Sequence, residues 1–300
     1  MTRPSRDAGR RFESVGALLD WAASRLAKAR LHYGHGTDNA RDEAAALVFH
    51  ALGLAHESAP ASYRLPVDAK GTARAQILIE RRIAERLPSA YLTGVTWFAG
   101  HEIRVTPDVL VPRSPIAELC RAGFAPWIDP ARVRRVLDIG TGSGCIAIAA
   151  AHALPQARVV ATDVSPRARA VARDNVRRHR LGRRLRVVAA DVYDGLGTGR
   201  YDVIVSNPPY VSAAGMRRLP REHRAEPASA LRAARHGLAI VESIVAGAKR
   251  RLTPQGILVV EVGGAAGRAS RRFRELPLTW LEFESGAAEV FLLRAADLPG

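Results

Sequence analysis

From about residue 132 to the C-terminus, short apolar runs alternate with helix-like stretches, and no other feature restricts the fold as tightly. RRVLDIG leads into GCIAIAAAHAL, and ARVVATDV leads into SPRARAVARDNVRRH; LRVVAADV, YDVIVSN and GILVVEVG are further short runs. Strands that are apolar along their whole length are buried on both faces, as in a parallel sheet covered by helices. The alternation therefore predicts an α/β domain with a mostly parallel sheet. Ser165 reads as the N-cap of the helix after the second strand, with Pro166 at its first position. Near the end, TWLEFES and EVFLLR, split by SGAA, read as a terminal β-hairpin.

The preceding part has a different texture. In VGALLDWAASRLAKA, Val15, Leu18, Leu19, Ala22 and Leu26 share one face of a helix. TDNARDEAAALVFHAL opens on the capping residues Thr37 and Asp38 and is expected to bury Ala45, Val48, Phe49 and Leu52. GTARAQILIERRIAERLP repeats the scheme and is stopped by Pro88. Three segments follow: a small helical domain over 1–90, a β-hairpin connector over 91–112 that is rich in Thr, Val and aromatics, and the α/β domain over 113–300.

Composition narrows the setting. No apolar run approaches the roughly 20 residues that span a bilayer, and no apolar stretch follows the basic N-terminus, so a cytoplasmic, non-membrane protein is expected. Cys120 and Cys145 are the only cysteines, which excludes a disulfide framework or a cysteine zinc site. His32 and His35, in LHYGHG, lack further ligands at metal spacing and read as loop residues, so no metal is expected. Cys145 follows the glycine turn amid small apolar neighbours and reads as packing. The net charge of +16 suits either an RNA contact through a basic surface or arginine-rich solvated helix faces. Charge alone does not name the partner.

In open α/β sheets, ligands sit beyond the carboxyl ends of the strands. The first strand ends in DIGTGSG, residues 138–144, where Gly140, Gly142 and Gly144 allow a tight turn and close ligand approach at a helix N-terminus. The second ends in Asp163, placed to accept hydrogen bonds from ribose hydroxyls, and the third in Asp191, within reach of an adenine amino group. The fourth ends in Asn207, Pro208, Pro209 and Tyr210. Such a corner suits a planar NH2 group. Asn207 can accept one N–H and the Pro208 carbonyl the other. Pro209 restricts the residue before it, and Tyr210 can stack on the plane. Two fixed acceptors would hold the nitrogen in line with an electrophile.

The glycine turn, the two aspartates and Asn-Pro-Pro-Tyr resemble class I S-adenosylmethionine-dependent methyltransferases that act on planar amino groups. VLVPRSPIAEL (109–119) narrows the resemblance to the N(5)-glutamine methyltransferases, whose branches act on release factors and on a ribosomal protein. The release-factor branch typically reads Pro-Arg-Pro-Asp/Glu-Thr-Glu here. Pro-Arg-Ser-Pro-Ile-Ala-Glu, with YGHGTDNARDEA, WFAGHEIRV and TWLEF, is similar to the branch acting on large ribosomal subunit protein three.

The resemblance implies a Rossmann-like fold and S-adenosyl-L-methionine as cofactor. It implies that Gly140, Thr141, Gly142, Ser143 and Gly144 hold the methionine part, Asp163 the ribose, and Asp191 with Val192 the adenine, with Asp138 also among the cofactor-binding residues. Asn207, which borders the cofactor as well, would hold the glutamine amide with Pro208, Pro209 and Tyr210. Phe98 would close over it, and the N-terminal helices would dock the protein or an assembling large subunit. Two features depart from the family. Val192 and Tyr193 follow Asp191 where the release-factor branch can use Trp, and Ala234 and His236 replace a Gly and an Asp in EPASALRAARHGL. The rival readings are a release-factor glutamine methyltransferase, a nucleic-acid adenine or cytosine amino methyltransferase, and a non-catalytic ribosome assembly factor. They differ in whether label from the cofactor enters protein, naked nucleic acid or nothing.

Overall fold

The fold is that of a computed structural model, which describes residues 10–55, 61–234, 237–284, 286 and 289–299. The chain forms two compact units: Met1–Val95 with Pro220–Ala225, and Thr96–Leu219 with Glu226–Gly300.

The smaller unit contains α1 (Val15–Lys28), α2 (Ala40–Leu52), α3 (Ala69–Glu85) and α4 (Ser89–Thr93). The five apolar residues expected on one face of α1 are all buried. Helix α2 starts one residue later than its expected caps. Asn39, whose Oδ1 accepts from the N–H groups of Arg41 and Asp42 at 3.0 Å each, is the cap. Its buried face is therefore Ala44, Leu47, Val48, Phe49 and Ala51, with Ala45 and Leu52 only half-buried. Helix α3 ends at Glu85, where Arg86 turns left-handed (φ 58°), and Pro88 instead caps α4. His35 lies in a loop, but it is buried and packs against His32 and His223.

A charged cluster sits inside this unit. Arg82, 0% exposed, donates to Glu43 Oε2 at 3.1 Å and lies 3.8 Å from Glu222 Oε1. Glu222, 2% exposed, is also paired with Arg86 at 3.1 Å. Buried charges persist only when paired, so the segment carrying Glu222 is part of this unit's interior although it lies over 130 residues downstream of Arg86.

The larger unit opens with a hairpin, β1 (Val95–Phe98) and β2 (His101–Arg104). Its two-residue turn, Ala99 and Gly100, has positive φ at both positions, the twist that matches paired strands. Then follow α5 (Ile116–Arg121), β3 (Arg135–Ile139), α6 (Cys145–Ala153), β4 (Arg158–Asp163), α7 (Pro166–Arg178), β5 (Leu185–Ala189) and β6 (Tyr201–Ser206). The chain continues through α8 (Ala213–Arg218), α9 (Ala228–Leu231), α10 (Ala239–Arg251), β7 (Leu252–Glu261), α11 (Ala266–Arg272), β8 (Thr279–Leu281) and β9 (Val290–Arg294). Ser165 caps α7 and Pro166 is its first residue, as the sequence predicts.

The strands form one seven-stranded sheet in the order β5-β4-β3-β6-β7-β9-β8. All pairs from β5 to β7 are parallel; β9 runs antiparallel to both β7 and β8. The terminal hairpin thus forms with its second strand inserted into the sheet, while Ser285, Ala287 and Ala288 of its loop lie outside the described residues. Helix α6 is buried from Cys145 to Ala151, which explains its uniformly apolar sequence. The strand order reverses between β3 and β6, a switch point that leaves a crevice beyond their carboxyl ends. Among the described residues no helix is long and apolar enough to cross a membrane.

Candidate active site

A pocket lies at this switch point, lined from the ends of β3, β4, β5 and β6 and by residues 108–110 and 112–114. Beyond β3, Gly140 (φ 71°), Gly142 (φ 54°) and Gly144 (φ 86°) are all left-handed, a conformation that strains other residues. A Cβ added at Gly140 or Gly142 would meet nothing within 4 Å, so these two leave open space at the pocket. Gly144 differs: an added Cβ would sit 3.4 Å from that of Ala172, so this glycine lets α6 and α7 approach.

Asp138 supports the turn from below. It is 0% exposed; its Oδ2 accepts from Thr141 Oγ1 at 2.5 Å and from the Ala147 N–H at 3.2 Å. Burial pushes its carboxyl up to about 7, against the pull of those two donors. Its Oδ1 is buried with no hydrogen-bond partner among the described residues. Asp163, at the end of β4, accepts from the N–H of Gly142 on Oδ2 at 3.0 Å and from that of Ser165 on Oδ1 at 2.8 Å. A carboxylate has further lone pairs for a ligand. Val164, next to it on the pocket wall, is 63% exposed, an unusual setting for an aliphatic side chain. Asp191 and Asp194 exchange backbone hydrogen bonds, and Val192 is left-handed between them. Tyr193 turns away from the pocket. Its hydroxyl donates to the Ile244 carbonyl and its ring lies on Gly247.

The β6 corner is held from a distance. Ser206 Oγ donates to the Ile139 carbonyl at 2.7 Å, fastening the two strand ends that flank the crevice. Asn207, Pro208 and Pro209 line the pocket, and the Asn207 amide makes no hydrogen bond to any described residue. Tyr210 donates through its hydroxyl to Glu261 Oε1 at 3.1 Å, and its ring covers Gly263. Ser114 donates to the other oxygen, Oε2, at 2.5 Å. Glu261 is 4% exposed, and burial pushes its carboxyl up to about 7 against the pull of these two hydroxyls. Burial and the nearby Glu261 also raise the Tyr210 phenol, which stays a donor. Arg113 grips Glu226 with two bonds of 2.6 and 2.8 Å, tying the Pro-Arg-Ser-Pro segment to the Glu-Pro pair. Gly237 (φ 97°) passes so close to the Tyr210 carbonyl that a Cβ there would overlap it. The neighbouring His236 lies outside the described residues; Ala234 is described, and its carbonyl accepts from the Gly237 N–H.

The fold thus brings Gly140, Thr141, Gly142, Ser143, Asp163, Asp191, Val192, Asn207, Pro208 and Pro209 onto one pocket. It does not place Asp138, Gly144, Tyr210 or Phe98 on the lining; Phe98 is 4% exposed within the hairpin. Sequence reasoning missed Glu261, Arg113, Ser114 and Glu226 as working parts. The two glutamates offered a signal, being acidic residues at the end of an apolar strand and beside a Pro. Cys145, held at the start of α6, is buried, and burial pushes its thiol up to about 12, consistent with packing.

With this strand order and this pocket, the larger unit is a class I S-adenosylmethionine-dependent methyltransferase domain. The family model described as methyltransferase small domain matches residues 124–221, and that described as PrmC N-terminal domain matches residues 17–94. The chain is 43% identical over 288 residues to the ribosomal protein uL3 glutamine methyltransferase of Bordetella pertussis, covering 96% of this chain and 97% of that protein. It is 43% identical to the protein of the same name from Burkholderia pseudomallei, covering 96% of each, and 41% identical to that of Xylella fastidiosa, covering 96% and 92%. The chain belongs to this family of protein glutamine methyltransferases.

Proposed function

We propose that this protein transfers a methyl group from S-adenosylmethionine to the side-chain amide nitrogen, N5, of a glutamine in ribosomal protein uL3. The observation that carries the substrate is the name shared by relatives that match 96% of the chain at 41–43% identity.

The pocket residues fit the cofactor: open space at Gly140 and Gly142, a carboxylate on Asp163, and the exposed Val164 beside it as an apolar surface for a flat base. When bound, the cofactor supplies an electrophilic methyl group on a sulfonium. Asn207 Oδ1 would accept one N–H of the glutamine amide and the Pro208 carbonyl the other, orienting the nitrogen lone pair. The nitrogen so held would take the methyl group, and one of its N–H protons would pass to solvent. No strong base is needed, because an amide nitrogen that has been alkylated is very acidic. Tyr210, with its hydroxyl on Glu261, sets the direction of the corner. The helical unit over the first 90 or so residues would dock the protein substrate, and a ribosomal-protein substrate supports a cytoplasmic site of action.

The decisive experiment uses labelled S-adenosylmethionine and ribosomal material from cells lacking this enzyme, followed by peptide mass mapping. Label on a single glutamine of uL3 is the expected result. Label on a release factor would move the chain to the other branch, label on RNA would assign the corner to a nucleobase amine, and no label would favour an assembly factor without activity.

A further inference from the structure

Three histidines far apart in the sequence meet on the larger unit. His101 opens β2, His152 lies in the last turn of α6, and His179 is the C-cap of α7. Each offers a ring nitrogen within 4.8 Å of one on each of the others. We infer that His101, His152 and His179 bind a divalent transition-metal ion of the zinc class, tying the hairpin to the ends of α6 and α7.

The geometry of the pair already formed is the first support. His152 Nε2 and His179 Nδ1 are 3.3 Å apart. Nitrogens about 2.0–2.1 Å from a tetrahedral zinc stand about 3.3–3.4 Å from each other, so the pair spans one edge of such a site. The second support is the fixed tautomer of His179. Its Nε2 lies 2.8 Å from the Glu102 carbonyl oxygen, which can only accept. Nε2 therefore carries the proton, and Nδ1 presents a lone pair toward His152. A ring N–H donated to a backbone carbonyl is the usual outer support of a metal-bound histidine. His101 stacks on His152 with centroids 4.3 Å apart, and its ligating nitrogen, within 4.8 Å of those of the other two, would supply the third corner. The fourth position faces solvent beside the exposed His152 and would be taken by water.

The surroundings suit a cation. The ends of α6 and α7 that converge here are their C-terminal, partially negative ends. Glu102 is the nearby carboxylate, 3.6 Å from Arg178, and Arg184 is the cation felt by His152. Three imidazoles without carboxylate or thiolate favour zinc, copper or nickel over magnesium or calcium.

The consequence is mechanical. The site lies at the far end of α6 from the glycine turn, about 13 Å along its nine residues, so the metal touches no reacting atom. From His101 the strand runs to Arg104, whose N–H and carbonyl both bond the Asn175 side chain. Asn175 also donates to the Ser143 carbonyl within the glycine turn. The metal would thus fix the start of the segment that supplies the pocket wall at 108–114.

The test titrates zinc into the tag-free, chelator-treated full chain by calorimetry and repeats the titration on His101→Ala, His152→Ala and His179→Ala. One ion per chain is expected, with affinity weakened about 100-fold in each variant and unchanged in His50→Ala, an exposed histidine on α2. Cobalt added to the unmodified chain should give the intense visible absorption of tetrahedral nitrogen ligation, a readout independent of any variant. Hydrogen exchange of the amides in β2 should slow on zinc addition. Absence of stoichiometric binding, or full binding retained in the His152→Ala/His179→Ala double variant, overturns the site. Binding that leaves the β2 amides unprotected overturns the tether.

Discussion

The two sides of the active-site crevice are built in opposite ways. On the β3–β4 side the supports are mostly local: Thr141 and Ala147 bond Asp138, and Gly142 bonds Asp163, 21 residues on, with Asn175 reaching the Ser143 carbonyl from 32 residues away. On the β6 side the corner is held by residues from all over the larger unit. Tyr210 leans on Glu261, which is bridged to Ser114 147 residues away, and Gly237 passes beneath the Tyr210 carbonyl. A local loop can grip a cofactor with little help from the remainder of the fold. A corner that must aim two acceptors at a reacting nitrogen is braced on several sides, because small misplacements of reacting groups are costly in rate.

The comparison predicts that damage on the β6 side appears in turnover and damage on the β4 side in cofactor binding. Asn207→Ala should lower kcat about 10²–10³-fold while the Kd for S-adenosylmethionine, by calorimetry, changes less than about 3-fold. Near-normal turnover would remove the corner's role. Glu261→Gln tests the brace through pH. The folded value of Glu261, about 7, lies above the ordinary 4.5, so between those limits the folded state keeps a proton that the unfolded chain has released. The stability this contributes is full below about pH 4.5 and is lost as pH rises through 7. Urea unfolding of the parent between pH 5 and 8 should therefore lose up to about 3 kcal/mol that Glu261→Gln does not lose. An identical pH profile in the two proteins would show that Glu261 titrates normally.

Gly237→Ala meets both a left-handed φ and a backbone oxygen, and should destabilise by about 2 kcal/mol, read as a lower Tm. Asp163→Asn is the smallest and lies on the other side. Cofactor affinity should fall about 10-fold, with turnover restored at saturating cofactor. A loss of kcat that saturation does not repair would erase the distinction between the two sides.

This contrast also explains what could be read from the sequence. The sheet was legible because its strands are short apolar runs, and the glycine turn because left-handed residues are written as glycine. Asp163 and the Asn-Pro-Pro-Tyr corner were legible because each stands at a strand end. The partners of the corner were not, since nothing near Ser114 or Glu226 in the chain records that they meet Glu261 and Arg113. The expected caps Thr37 and Asp38 failed for a local reason: Asn39 follows them and binds two N–H groups at once. The histidine cluster was invisible because 51 and 27 residues separate its members, far from any ligand spacing. The role of Tyr193 was not legible either: its place after Asp191 says nothing of its hydroxyl, which donates to the Ile244 carbonyl on α10.

The segment Pro220–Ala225, which completes the helical unit, has a consequence for synthesis. Domains made first usually fold first. Here the N-terminal helices leave the ribosome early with Arg82 already paired to Glu43, yet Arg86 waits for Glu222. The unit that emerges first is complete only at residue 225, after much of the larger unit has been made. A chain cut anywhere before residue 220 would release the helices without Glu222, the buried carboxylate that pairs with Arg86, so the first domain to leave the ribosome waits on a segment made much later.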